Sequence, residues 1–266
     1  VQSNAKVVIA SVLLFFSSVT GATQEISIAV FEPHESLIKA STAYGLSWDI
    51  LQLAAQEEQI QLIPQQSSWD GAISRLKNNK VELIFGVLKT PERQGWLAFS
   101  YPLLPESSRL YTLPSNPVNA LSQINIQQVK VGAVDKSLHQ KEAVKMGFAQ
   151  VYPVNDKVNL YKMLQGGRLD YVVLGVTLAR FYCQNESRDY GVNCLKPVGD
   201  VLMYSNVHVA SLQKNEEATR VLHRLNNGIK TVYHLPEVAT LFEQHGFSTS
   251  DYRQWQQQMQ TFFSAQ

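Results

Sequence analysis

The sequence predicts an α/β protein of two domains with a cleft between them, and three observations carry that prediction. Strand-like apolar runs alternate with helical segments from Ile26 to Gly86, and the alternation restarts at Val129. A loop rich in Pro, Ser and Asn, Pro114 to Pro117, separates the two runs. Extended segments near Arg109 to Leu113 and Val201 to Val207 join them, so the chain is expected to cross into a second domain and return. A β-α-β-α-β order implies parallel sheets with right-handed crossovers. Two crossings make a hinge, and the cleft beside a hinge is a favoured small-molecule site.

The elements follow in order. Ile26 to Val30 is a short apolar strand. Ser47 to Glu58 reads as a helix, with Ser47 as cap and Ile50, Leu53 and Ala54 on one face. Ile60 to Ile63 is a second strand; Ser68 caps a helix from about Trp69 to Asn78; Val81 to Gly86 is a third strand. In the second run, strands fall at Val129 to Val134, Val151 to Val154 and Tyr171 to Leu174. Helices fall at His139 to Met146, Lys157 to Gln165 and Val176 to Tyr182. Strand-like residues return at Val198 to Met203 and Val207 to Ala210. Helices from Glu216, Pro236 and Asp251 close the chain, the last packing back on the first domain. The boundaries expected are 23–111 with 206–266 for one domain and 112–205 for the other.

Residues 1–22 have the three-part pattern of a secretory signal: Lys6, an apolar run from Val7 to Phe16, and Thr20-Gly21-Ala22 as a cleavage motif. The apolar run is short for a bilayer span. An exported, periplasmic, monomeric protein beginning near Thr23 is expected. It would have about 240 residues, enough for two small domains. The formal net charge of +1 argues against nucleic acid or an anionic membrane surface as partner. Cys183 and Cys194 are expected to form a disulfide in an oxidising compartment. Asn185-Glu186-Ser187 matches a glycosylation sequon. No catalytic or nucleotide motif is found, so neither cofactor nor metal is expected. The histidines are scattered; His34 lies in the first loop near the expected cleft and reads as a surface residue.

Thr90-Pro91-Glu92-Arg93 follows the third strand, where open α/β sheets bind ligands. The guanidinium of Arg93 is a rigid fork that matches a carboxylate; the competing reading is a solvated loop arginine.

These segments resemble the bacterial extracellular solute-binding proteins of family 3, the polar amino-acid type. The resemblance rests on Gly45-Leu46-Ser47-Trp48-Asp49-Ile50, Trp69-Asp70-Gly71-Ala72-Ile73-Ser74-Arg75-Leu76 and Lys80 to Gly86. It continues through Thr90-Pro91-Glu92-Arg93 with Phe99-Ser100-Tyr101-Pro102, Lys130-Val131-Gly132-Ala133 and Gly167-Arg168-Leu169-Asp170-Tyr171. It covers nearly the whole mature chain. It implies a type II periplasmic-binding fold, hinge closure around a solute and delivery to an inner-membrane ABC permease, with no catalysis. It implies that Arg93 grips a ligand carboxylate and that Trp69 walls the pocket, although Trp69 equally suits core packing. Phe31 is a candidate second wall.

Three positions depart from the family pattern. Gly86-Val87-Leu88-Lys89 stands where Ser or Thr donors are usual, leaving backbone donors and an apolar Leu88. Lys136-Ser137 replaces a Gly-Thr pair, with Ser137 still able to donate near a helix N-terminus. The acid that meets a ligand ammonium falls on Gly175, so that carboxylate is missing. A buried ammonium without an acceptor is costly. Either another acid serves, with Asp135 and Glu32 as candidates, or the ligand is a carboxylate without an amino group. A sensory adaptor for a membrane receptor, and a dehydratase using Glu32 or Asp135, are the other functions this scaffold admits.

Overall fold

A computed structural model describes residues 22–40, 42–186 and 194–265. The expected signal segment, apart from Ala22, and Ser187 of the sequon lie outside them. Strand β1 (Gln24–Phe31) pairs in parallel with β2 (Ile60–Ser67) and β3 (Leu83–Leu88). The helices between them are α1 (His34–Ala40), α2 (Thr42–Glu57) and α3 (Trp69–Lys77). After β3 come a single helical turn, α4 (Pro91–Gln94), and β4 (Leu97–Phe99). Strand β5 (Pro105–Thr112) leads to a second unit of β6 (Lys130–Val134), α5 (Leu138–Lys145), β7 (Gln150–Val154), α6 (Lys157–Gln165), β8 (Tyr171–Gly175) and α7 (Val176–Phe181). The 17-residue β9 (Lys196–Leu212) returns, and α8 (Glu216–Val232), α9 (Pro236–Gln244) and α10 (Thr249–Ser264) finish the chain.

The strand order is β2-β1-β3-β9-β5-β8-β6-β7, with β4 paired to β9. β6 lies parallel to β7 and β8, as β1 does to β2 and β3. The link is antiparallel: β9 pairs with β3 through Val207 to Ala210 and with β5 through Lys196 to Asn206. Two expected strands are therefore one, because Tyr204 to Asn206 keep bonding to β5 across the junction.

Burial explains why the strands read as apolar runs. Ile28, Ala29 and Val30 in β1, and Leu83 to Phe85 in β3, are fully buried because helices cover both faces. Helix α2 starts five residues earlier than its expected Ser47 cap, and Ser47 itself is buried. Helix α1 had no strong apolar period in the sequence. It forms because Leu37 and Ala40 bury against the core cluster. The terminal helix docks through Trp255, whose indole N–H donates to Leu103 O at 2.5 Å. The expected disulfide Cys183–Cys194 is present, with Cα atoms 5.1 Å apart. No helix among the described residues is long and apolar enough to cross a membrane.

Helix α8 packs on α2 so closely that a Cβ added at Gly228 would sit 2.2 Å from Ala54 O. A side chain there must push the helices apart. Gly228→Val is expected to lower the unfolding free energy by about 1–3 kcal/mol in urea titration, the usual range for overpacking.

Candidate functional site

Each parallel strand hands over to a helix at the same sheet edge. Ser68 caps α3 by accepting from Gly71 N–H at 3.2 Å, and Ser137 caps α5 by accepting from Gln140 N–H at 3.2 Å. Asp156 caps α6 through Val158 N–H at 2.8 Å, and Thr90 caps α4 through Arg93 N–H at 3.2 Å. Helix N-termini therefore converge from both units of the sheet. Between them lies a cavity of about 130 Å³, similar in size to engineered cavities that take a benzene-sized ligand.

Phe31, Trp69, Gly86, Leu88, Arg93 and Ser137 all line this one cavity. Gly86 sits at an irregularity in the β3–β9 register with φ +80°. A Cβ there would approach the Phe31 ring to 2.9 Å, so the glycine gives that ring its room. Phe31 and Trp69 lie with ring centroids 5.4 Å apart. Arg93 lies over Trp69 at 4.5 Å and donates from Nη1 to Leu88 O at 2.8 Å. Burial pushes the Arg93 pKa down to about 10, opposed by neighbouring Glu92. Arg93 is thus a half-buried cation on a single turn of helix, not a solvated loop residue.

Two expectations at the site need correction. The Ser137 hydroxyl is occupied, since it caps α5 and donates to Val134 O at 2.5 Å. His34 is not a surface residue: it is buried, with Nδ1 3.0 Å from the Tyr44 hydroxyl and its ring against Trp48. Of the two candidate replacement acids, Glu32 is exposed, and neither Glu32 nor Asp135 lines the cavity.

The carboxyl beside Gly175 comes instead from Glu106. A Cβ at Gly175 would meet Glu106 Oε1 at 3.4 Å. The Glu106 carboxyl accepts from Val176 N–H at 2.9 Å and Ser107 N–H at 3.0 Å, and from the Thr177 hydroxyl. Burial raises its pKa, with those hydrogen bonds opposing the shift. Among the described residues, no cation lies within ion-pair distance of it. The sequence of Pro105 to Arg109 shows no apolar alternation that would have revealed it. In β5, Glu106, Ser108 and Leu110 alternate inward, as a half-buried strand requires.

Lys157 and His139 complete the polar lining. Lys157, the first residue of α6, holds Nζ 4.1 Å from the Phe31 ring centroid. Burial lowers its pKa to about 7, with Glu32 opposing. His139 Nε2 lies 2.8 Å from Ser108 Oγ. Burial, then Arg93 and Lys157, lower its pKa to about 4. Contacts at the rim tie the two units together. Trp69 Nε1 donates to Lys136 O at 3.2 Å, Lys136 pairs with Asp70 at 3.0 Å, and Lys141 pairs with Glu92.

Residues 26–248 match the family model of the bacterial extracellular solute-binding proteins, family 3. The chain belongs to that family. No curated protein matches this family member. Among solved structures, an arginine 3rd transport system periplasmic binding protein from Legionella pneumophila superposes with a TM-score of 0.70 at 13% identity, covering 84% of this chain and 99% of that one. The GluR0 ligand-binding core from Nostoc punctiforme, in complex with L-glutamate, gives 0.67 at 18% identity, covering 85% and 100%. A histidine kinase sensor domain with similarity to periplasmic binding proteins gives 0.69 at 14% identity, covering 84% and 96%. At these identities the likeness is one of fold.

His34, His139 and His208 all have pKa values lowered to about 4 from an ordinary 6.5, each chiefly by burial. Between those values the unfolded chain binds more protons than the folded one, so stability is lost as pH falls through that window. Melting temperature is expected to drop from pH 6.5 to pH 4. His139→Gln should make that drop smaller.

Proposed function

We propose that this protein captures a small solute bearing a carboxylate and an ammonium group, by closing two domains on it. In this reading residues 23–111 with 206–266 form one domain and 112–205 the other. Arg93 takes the carboxylate in a bidentate, charge-assisted pair, with Trp69 and Phe31 as apolar walls. Glu106 takes the ammonium. The observation that carries the reading is that Glu106, buried and with no cation among the described residues at ion-pair distance, lines the same cavity as Arg93. A buried carboxyl with a raised pKa gains most from a ligand that brings the missing positive charge. The position vacated at Gly175 is thereby filled from a neighbouring strand, and the α-amino acid alternative gains over a plain organic acid.

Delivery to an ABC permease is the biological role proposed. A matching structure is described as the substrate binding protein of an amino acid ABC transporter, with a TM-score of 0.68 at 16% identity. The rim contacts between Trp69, Asp70 and Lys136 suit a closed state that a membrane partner reads, because they exist only while the two units meet. The fold likeness to a histidine kinase sensor domain supports a second reading, in which the closed state signals to a membrane receptor. Recovery of a permease or of a receptor from membranes with ligand-loaded protein separates the two.

The test is calorimetric titration with a panel of L-amino acids and their deaminated acids. Arg93→Ala is expected to weaken every carboxylate ligand by about tenfold or more, since a charge-assisted hydrogen bond contributes about 1.5–3 kcal/mol. Unchanged affinity removes Arg93 from the site. Glu106→Gln is expected to weaken the amino acids by a similar factor and leave their deaminated counterparts unchanged. Equal losses for both classes would show that Glu106 only supports the fold.

A further inference from the structure

Arg93 and Glu106 account for one carboxylate and one ammonium, and Lys157 is left over. It occupies the first turn of α6, where the helix dipole disfavours a cation. It is half-buried and lines the cavity. Among the described residues no carboxylate lies within ion-pair distance of its Nζ; its nearest partner is the face of Phe31, at 4.1 Å. A lysine so placed has that ring and the more distant charge of Glu32 to offset its burial, and no ion pair among the described residues. The α6 N-terminus beside it also favours an anion.

We infer that Lys157 receives a second anionic group of the ligand, so that the solute is an α-amino dicarboxylate. This rests on the reading above, in which Arg93 and Glu106 hold the α-carboxylate and the ammonium. The charges then balance. Two cations and one carboxylate in the protein meet one ammonium and two carboxylates in the ligand, and no ion is left unpaired in a desolvated space. A neutral amino acid would leave the Lys157 ammonium buried without a partner. The two cations also stand on two touching rings, Arg93 on Trp69 and Lys157 on Phe31. That arrangement separates the anion subsites while keeping both on one wall of the cavity.

The pKa of Lys157, pushed down to about 7 by burial, adds a pH signature. In the empty protein the ammonium is lost as pH rises above 7, so the second anion loses its attraction there. The groups around it are Glu32 after β1, Arg93 on α4, Glu106 on β5 and His139 on α5. Glu32 opposes the shift at Lys157, while Lys157 and Arg93 both keep His139 neutral. All four are unaltered in a Lys157 variant, so that variant isolates the lysine's part.

The experiment is titration calorimetry at pH 6.5 with L-glutamate against L-glutamine and L-aspartate against L-asparagine, pairs nearly identical in shape. At least one acid is expected to bind tenfold or more tightly than its own amide, and this preference should shrink at pH 9. Lys157→Met keeps the apolar stem on Phe31 and removes the charge. It should bring the acid-to-amide ratio near one while leaving amide affinity unchanged, and Lys157→Arg should restore the preference. Amides binding as tightly as the acids would overturn the inference, and so would a preference that survives in Lys157→Met. Binding of other amino acids but of neither pair would overturn it while sparing the role of Arg93 and Glu106. Failure of every α-amino acid and carboxylate to bind would overturn both. The wild-type comparison decides the matter even where a variant does not fold.

Discussion

The cavity is organised around a carboxyl group that no cation among the described residues neutralises. Glu106 is held by two backbone N–H groups and a hydroxyl at the start of α7. Those bonds fix its direction and partly stabilise its charge, while burial works against that charge. In the proposed reading, the arrival of a ligand cation would offset the desolvation penalty at this group. The aromatic pair and the arginine depend on the same logic from the opposite sign. Arg93 is bonded to a single carbonyl and laid on a tryptophan, which leaves most of its donors available.

The fold exists to bring these opposite charges to one place without letting them meet. Arg93 comes from the turn after β3, and Glu106 from the first inward position of β5. Between the two, β9 runs through both units of the sheet, pairing with β3 at one end and with β5 along the other. The two strands β5 and β9 carry the chain out and back. In the proposed closure, a rotation about them would change the distance between the charges. The rim contacts of Trp69, Asp70 and Lys136 close over the cavity. Being one exposed ion pair and one hydrogen bond, they add little strength, which suits the proposed closure on a ligand.

Much of this was legible in the residues. The alternation of apolar runs and helices gave the order of β1 to β3 and β6 to β8, because strands covered on both faces must be apolar throughout. That Phe31, Trp69, Gly86, Leu88 and Arg93 line one cavity could be expected from the residues, because each lies at or near a strand end or just after a cap position. Glu106, Lys157 and His139 were not readable in this way. Glu106 is on a strand whose partner and register a single sequence does not reveal, and Lys157 looks like any charged residue starting a helix. His34 misled for the same reason: it was read as a loop residue but starts α1, and the packing of Tyr44, Trp48 and Phe85 around it was not visible.

The exchange between Gly175 and Glu106 has a geometric basis. Ser108 pairs with Gly175, the last residue of β8. Side chains in a strand alternate with a period of two, so Glu106 shares the inward face of Ser108 and projects past the point where β8 ends. The space it enters is the one that a side chain at Gly175 would otherwise use. Sterics alone do not demand the glycine, since 3.4 Å is an ordinary contact distance. Charge excludes an acid there: it would set two carboxyls against each other in a buried site, and one would have to stay protonated. A single carboxyl, moved from one strand to its antiparallel neighbour, keeps the same pole of the cavity negative. It also gains the Val176 and Ser107 N–H groups as fixed donors.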